Sequence, residues 1–330
     1  LEWSKYKNKT IFVTGATGLI GSLLVKAFAY YNCLHQGNIK IIGLIRNEEK
    51  AKRIYGKWYN NYGIHLMIGD IEQIPVIAGD VDYIFHTVSI TASKMMVQHP
   101  VLTIQTSYMG TKNVLDLAVD KKIEGMVYVS SMEVYGIPDE KKEYITEKDL
   151  GYIELENVRS SYSEGKRICE CLCNAYAAEF GLPVKSARLA QTFGAGVLQE
   201  DNRAQFARSA MKKENLVLRT DGSSEGNYCY TRDVIRALLL LGYSGKVGEA
   251  YNVVNEKSHM TIREMAELVA NDVSNGEIKV EFDIPDEAKS LGYAPKVKMH
   301  LSSEKLNKLG WKAEVDMKEA YLRMMNDMEA

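Results

Sequence analysis

Tyr162 and Lys166 stand four residues apart in Tyr162-Ser163-Glu164-Gly165-Lys166. At that spacing both side chains share one face of a helix. A free phenol, with a pKa of about 10, is a poor base at neutral pH. A neighbouring ammonium favours the phenolate, and so does an oxidised nicotinamide ring. The pair can then move a proton on or off an alcohol while the attached carbon is oxidised or reduced. A hydroxyl to hold the reacting oxygen comes from Val129-Ser130-Ser131-Met132-Glu133-Val134-Tyr135-Gly136, which leaves the end of a predicted strand. In an open α/β sheet functional groups gather at such ends, although serine is also a common turn residue. Glu133, two residues beyond Ser131, can reach the same place; accepting backbone amides within its own loop is the alternative.

A second motif would supply the redox partner. Gly15-Ala16-Thr17-Gly18-Leu19-Ile20-Gly21 follows a predicted strand and opens a predicted helix. Gly15 permits a sharp turn, Gly18 removes a side chain where a pyrophosphate must approach, and Gly21 lets the helix pack closely. The helix N-terminus then offers free amides and a partial positive charge to phosphate. In that strand–turn–helix context the motif predicts dinucleotide binding. Asp70, after the third predicted strand, can accept from an adenine amino group or simply cap its turn. Arg46, at the end of the second strand, can pair with a 2′-phosphate. The cofactor is therefore NAD or NADP, with Arg46 favouring NADP.

The elements that must position these groups alternate along the first half of the chain. Strands are predicted at Thr10–Val13, Lys40–Ile45, His65–Ile68, Tyr83–His86, Met126–Ser130 and Val184–Ala190. Helices are predicted at Leu19–Tyr30, Glu48–Tyr59, Val101–Val119 and Tyr162–Phe180, the last stopped by Gly181 and Pro183. This rhythm predicts an α/β fold, a doubly wound parallel sheet of the Rossmann type covered on both faces. After Gln191 it breaks into shorter pieces, including helices at Ile262–Val273, Ser303–Leu309 and Met317–Met328, and Val273–Pro295 reads as surface connection. The expected division is a dinucleotide-binding domain from 1–190 plus about 226–256, and a smaller C-terminal substrate lobe from about 191–225 and 257–330.

Bulk composition narrows the class. The chain has 330 residues and a formal net charge of -2, so neither nucleic acid nor an anionic membrane is an expected partner. No apolar run approaches the roughly 18 residues of a membrane span. Leu1–Lys7 is polar, without a signal-peptide core. The five cysteines form no CxxC pair, and Cys169, Cys171 and Cys173 alternate within a predicted helix, so no metal site is expected. A cytoplasmic, reducing compartment follows.

The order TGATGLIG, SSMEVYG and YSEGK resembles the extended short-chain dehydrogenase/reductases, the NAD-dependent epimerase/dehydratases of nucleotide sugars. His86-Thr87-Val88-Ser89, Arg188–Gly194, Asn227–Asp233, Tyr251-Asn252-Val253 and Leu309-Gly310-Trp311 resemble further segments of that family. The resemblance implies Ser131 as the catalytic hydroxyl, Tyr162 as the acid/base, and Lys166 as the group that holds the cofactor ribose and tunes Tyr162. It implies cofactor contacts from Gly15, Thr17, Gly18, Leu19, Ile20, Gly21, Asp70, Ile71, Thr87, Val88, Ser89, Ser130, Tyr162, Lys166 and Leu189, while Arg46, also expected at the cofactor, departs from the acid that NAD-specific members usually carry near there. It implies a nucleoside-diphosphate sugar as substrate, met by Ser93, Lys94, Gln191, Arg203 and Arg232, and a homodimer joined through Val101–Val119 and Tyr162–Phe180.

Departures from the family pattern bear on the reaction. Gly226 stands where members often carry a diphosphate-clamping arginine, while Gln191 and Ser107 replace family asparagines. Glu133 matches the glutamate of 4,6-dehydratases and uronate decarboxylases, and Arg159–Arg167 resembles the decarboxylase form of the tyrosine motif. Met132, however, replaces the second acid of a dehydratase, and a decarboxylase would need a cation where Gly226 stands. The expected activity is interconversion through a transient 4-keto sugar. A 4-epimerase is placed first, and a 4,6-dehydratase, a uronate decarboxylase or an NADPH-dependent keto-sugar reductase are the alternatives. A dinucleotide-binding sensor without turnover is the contrasting class; such proteins usually lose the tyrosine or the lysine, and both are kept here.

Overall fold

The computed structural model describes residues 1–196, 204–284 and 298–329. The chain forms β1 (Thr10–Thr14), α1 (Leu19–His35), β2 (Lys40–Ile45), α2 (Glu48–Tyr55), β3 (Ile64–Ile68), β4 (Tyr83–His86), α3 (Ser93–Gln98), α4 (Pro100–Lys121), β5 (Gly125–Ser131), α5 (Ser160–Phe180) and β6 (Val184–Leu189). Then come β7 (Gln191–Phe193), α6 (Gln205–Lys212), β8 (Leu216–Leu218), β9 (Glu225–Gly226), β10 (Tyr228–Tyr230), α7 (Thr231–Tyr243) and β11 (Ala250–Val253). The last elements are β12 (Met260–Thr261), α8 (Ile262–Leu268), β13 (Val280–Phe282), α9 (Glu304–Asn307) and α10 (Met317–Glu329).

Seven strands form one sheet in the order β11-β6-β5-β4-β1-β2-β3. The pairs from β3 to β6 are all parallel, with registers such as Val13↔Phe85 and Ser131↔Leu189. Strands buried on both faces carry apolar runs, and β1, β4 and β5 do so before their polar ends: Ile11, Phe12, Val13, Ile84, Phe85, Met126 and Val127 are fully buried. One core layer joins Phe12, Ile84 and Met126 to Val114, Leu115 and Ala118 of α4 and to Cys169 and Cys173 of α5. The doubly wound parallel fold expected from the alternation is the fold observed.

Two compact units divide the chain: residues 1–136, 152–189 and 235–251, and residues 137–151, 190–234 and 252–330. The sequence-based division placed 137–151 in the first unit, whereas Ile145 bridges to Leu301 within the second. The second unit carries three small two-stranded sheets, β7 with β10, β9 with β12 and β8 with β13. There Asp233 accepts the amides of Glu314 (2.8 Å) and Val315 (2.9 Å) and its carbonyl takes the Trp311 indole N–H (3.0 Å). The stretch read as surface connection, Val273–Pro295, contains β13, which pairs Val280↔Leu216; its residues from 285 onward lie outside the described residues. Helix α1 runs five residues past its expected end at Tyr30, to His35, and α2 stops at Tyr55 because Gly56 takes a positive φ.

Candidate active site

Strand order reverses at β1, which has β2 on one side and β4 on the other. Such a switch point leaves a crevice beyond the carboxyl ends of the strands. The two ends are tied together. Thr14 Oγ1 meets His86 Nδ1 at 2.8 Å and accepts the Thr87 amide at 3.1 Å, and Thr87 Oγ1 donates to Thr14 O at 2.7 Å. His86 Nε2 meets Thr111 Oγ1 of α4 at 3.1 Å. Burial, helped by the Lys166 charge, pulls the His86 imidazole down to about 3, so it is neutral at physiological pH.

The three motif glycines have different reasons. Gly15 sits at φ +66°, where a side chain is strained. A Cβ on Gly21 would overlap the Gly15 carbonyl and lie 2.9 Å from Thr87 Oγ1. The fold therefore needs Gly15 and Gly21. A Cβ on Gly18 would meet only Gly15 O, at 3.3 Å, in otherwise open space. Nothing among the described residues occupies that space, and it lies at the N-terminus of α1, whose first turn holds no acidic residue. A pyrophosphate fits there. Thr17, Leu19 and Ile20 line the same turn half-buried. Val88 and Ser89 follow the end of β4, and the buried Ser89 hydroxyl is among the groups that act against the rise of the Tyr162 phenol.

Ser131, Tyr162 and Lys166 come together in the first unit. Ser131 ends β5 in register with Leu189, and its Oγ accepts the Glu133 amide (3.2 Å), capping a 3-10 turn over Met132–Tyr135. Tyr162 lies in the first turn of α5, and Lys166 follows one turn later. Lys166 Nζ donates to Val129 O (2.8 Å) and stands 5.8 Å from the Tyr162 ring centroid and 4.9 Å from that of Tyr128. Burial lowers the Lys166 ammonium to about 8. Burial raises the Tyr162 phenol to about 12, and the Glu133 charge adds to the rise; a hydrogen bond with Ser131 and the charge of Arg159 oppose it. Tyr162 is thus a protonated acid in the protein alone, and a further positive charge beside it is needed to make it a base.

Glu133 is held rather than free. Arg159 Nη1 and Nη2 donate to its two oxygens at 2.9 and 3.0 Å, and Ser163 Oγ approaches Oε2 at 3.4 Å. Ser130, expected at the cofactor, turns its hydroxyl to Glu170 Oε1 (2.5 Å). Glu170 in turn accepts from Arg188 Nη2 (2.7 Å), and Arg188 Nη1 donates to Tyr135 Oη (3.0 Å). This buried network grips the Ser131 loop from both sides. Sequence reasoning gave Arg159, Glu170 and Arg188 no role; the place of Arg159 three residues before Tyr162, and of Glu170 four after Lys166, was the available signal.

The remaining expected residues are more scattered. Asp70 is exposed and its Oδ1 accepts the Glu72 amide (2.9 Å), the turn-capping alternative, while Ile71 is buried in the core against Gly110. Arg46 is exposed at the end of β2. Ser93 and Lys94 open α3, both exposed. In the second unit Gln191 is exposed in β7 and Arg232 pairs with Glu314 (2.9 Å). Arg203 lies outside the described residues. Among the described residues no group of three His, Cys, Asp or Glu is placed to hold a metal, and no helix is long and apolar enough to cross a membrane.

Residues 11–254 match the model of the NAD dependent epimerase/dehydratase family. The chain belongs to that family. UDP-glucuronic acid decarboxylase 6 of Arabidopsis thaliana is 29% identical over 324 residues, covering 97% of this chain and 89% of the decarboxylase. An epimerase from Methanothermobacter thermautotrophicus superposes with a TM-score of 0.80 at 23% identity, covering 99% of this chain and 94% of its own. The UDP-glucuronic acid 4-epimerase of Bacillus cereus, solved with UDP-glucuronic acid and NAD, gives a TM-score of 0.78 at 19% identity over 97% of this chain and 99% of its own. This member of the epimerase/dehydratase family is therefore an enzyme of nucleotide-sugar type, and its resemblance to that family was legible in the motifs.

Proposed function

We propose that this enzyme oxidises a nucleoside-diphosphate sugar at C4, passes through a 4-keto sugar, and returns it inverted at that carbon. Ser131 holds the C4 oxygen, and Tyr162 takes its proton. Lys166, with its ammonium between the rings of Tyr128 and Tyr162, steadies the phenolate and the ribose beside it. NAD, when bound on the glycine turn, supplies the reversible two-electron oxidation of C4; Arg46 leaves NADP as an alternative. Tyr162 gives its proton back after the keto sugar has turned over.

The observation that carries the epimerase reading is the bidentate Glu133–Arg159 pair. A carboxylate so engaged is not a free base for C5, which 4,6-dehydration would need and 4-epimerisation does not; a 4-keto uronate loses its carboxylate without such a base. A uronate decarboxylase is the second reading, favoured by the names of the sequence relatives at 28–29% identity. The family's homodimer is supported by exposed apolar residues along α4, Val101, Ile104 and Tyr108, spaced to share one face, and by Ile168 on α5.

The test is turnover of UDP-glucose, UDP-galactose and UDP-glucuronic acid by wild type and Tyr162→Phe, with products separated by chromatography. General acid–base catalysis contributes about 10²–10⁴-fold, so the variant should lose at least that order while still binding NAD. Wild-type turnover by Tyr162→Phe would remove Tyr162 from the chemistry.

A further inference from the structure

Arg159 and Ser163 flank Tyr162 in the chain, and both reach the carboxylate of Glu133 on the loop that carries Ser131. The two donors from Arg159 are parallel and short, the geometry in which an arginine–carboxylate pair fixes orientation as well as charge. Both partners are partly shielded, with 19% of the Arg159 side chain and 34% of that of Glu133 exposed.

We propose that Arg159 is a positioning residue, which clamps Glu133 so that Ser131 and Tyr162 stay in register and so that the Glu133 charge is screened from the Tyr162 phenolate. This rests on the reading of Tyr162 as the acid/base. Glu133 and Arg159 act on the phenol in opposite senses, the carboxylate raising and the guanidinium lowering its proton affinity. Lys166 on the same helix has its Nζ 5.8 Å from the Tyr162 ring centroid, and its charge also acts on the neutral His86 at the end of β4. Loss of Arg159 would leave an unpaired carboxylate beside a group that must become an anion, whereas loss of the Glu133 charge would ease its ionisation.

The experiment follows tyrosinate absorbance of NAD-loaded protein from pH 6 to 10.5, with the same titration of Tyr162→Phe subtracted to isolate Tyr162. A charge close to a titrating group shifts its pKa by about one unit or more. Arg159→Ala should therefore raise the Tyr162 midpoint by about that much, Glu133→Gln should lower it, and the double variant should return towards wild type. Arg159→Lys, which keeps the charge but not the fork, should restore the midpoint in part. If the wild-type change lies above pH 10.5, Glu133→Gln must bring it into range. Unmoved midpoints in the Arg159 and Glu133 variants, or a Glu133→Gln change that stays out of range, would overturn the clamp. No sugar is used, so a failed clamp leaves the C4 reading standing, and a failed turnover assay leaves the titration intact.

Discussion

The glycine turn makes a prediction that separates fold from ligand. Gly18→Ala and Gly21→Ala add the same methyl group three residues apart. At Gly21 the methyl would overlap the Gly15 carbonyl and crowd Thr87 Oγ1 at 2.9 Å, both rigid parts of the turn. Overpacking of that kind costs about 1–3 kcal/mol. At Gly18 the φ of -82° and ψ of 169° are open to alanine, and the only neighbour, at 3.3 Å, is Gly15 O. A few tenths of a kcal/mol lost at an N-cap are offset by about 0.4–1 kcal/mol from a stiffer unfolded chain. Without cofactor, Gly18→Ala should therefore unfold within about 0.5 kcal/mol of wild type, and Gly21→Ala should be weaker by at least 1 kcal/mol. NAD binding by calorimetry should show the other half. A methyl that costs the bound pyrophosphate about 1.4 kcal/mol or more weakens binding at least about tenfold, so Gly18→Ala should bind NAD poorly while remaining folded. If Gly18→Ala binds NAD as wild type does, that open space is not where the pyrophosphate lies, and the cradle is wrongly placed.

Arg46→Ala should weaken NADP more than NAD in paired dissociation measurements; equal effects would remove Arg46 from cofactor choice. His86 is neutral in the fold because burial depresses it from an ordinary value near 6.5 to about 3. A depressed group gives stability that is full above its unfolded pKa and lost as pH falls through the window from 6.5 to 3. Denaturation across that window should show one extra proton taken up on unfolding, and His86→Phe should lose that slope. Arg188→Met leaves Glu170 buried without its guanidinium and should cost about 3–5 kcal/mol in denaturant unfolding, more than the double replacement Arg188→Met with Glu170→Leu.

The fold was readable because the chemistry of a buried parallel strand is repetitive. Runs such as Ile11-Phe12-Val13 and Met126-Val127, closed by glycine or serine turns, admit little else. Ser131, Tyr162 and Lys166 could be singled out as candidates because they sit in local motifs. What escaped depends on side chains that meet from distant segments. The Glu133–Arg159 pair joins side chains 26 positions apart, and the Ser130–Glu170 hydrogen bond joins side chains 40 apart. The strand β13 escaped for a different reason: its partner β8 is only three residues long, and Val-Glu-Phe carries too short a pattern to distinguish from a loop.

The most direct test of the C4 reading is isotopic. Wild-type enzyme would be incubated with NAD and UDP-glucose, UDP-galactose or UDP-glucuronic acid in deuterated water, and the product examined by proton NMR. An enzyme that oxidises and re-reduces C4, with Glu133 engaged by Arg159, should return the C4 epimer with no deuterium on any ring carbon. Deuterium at C5, or loss of the C6 carboxylate from the uronate, would contradict the epimerase account.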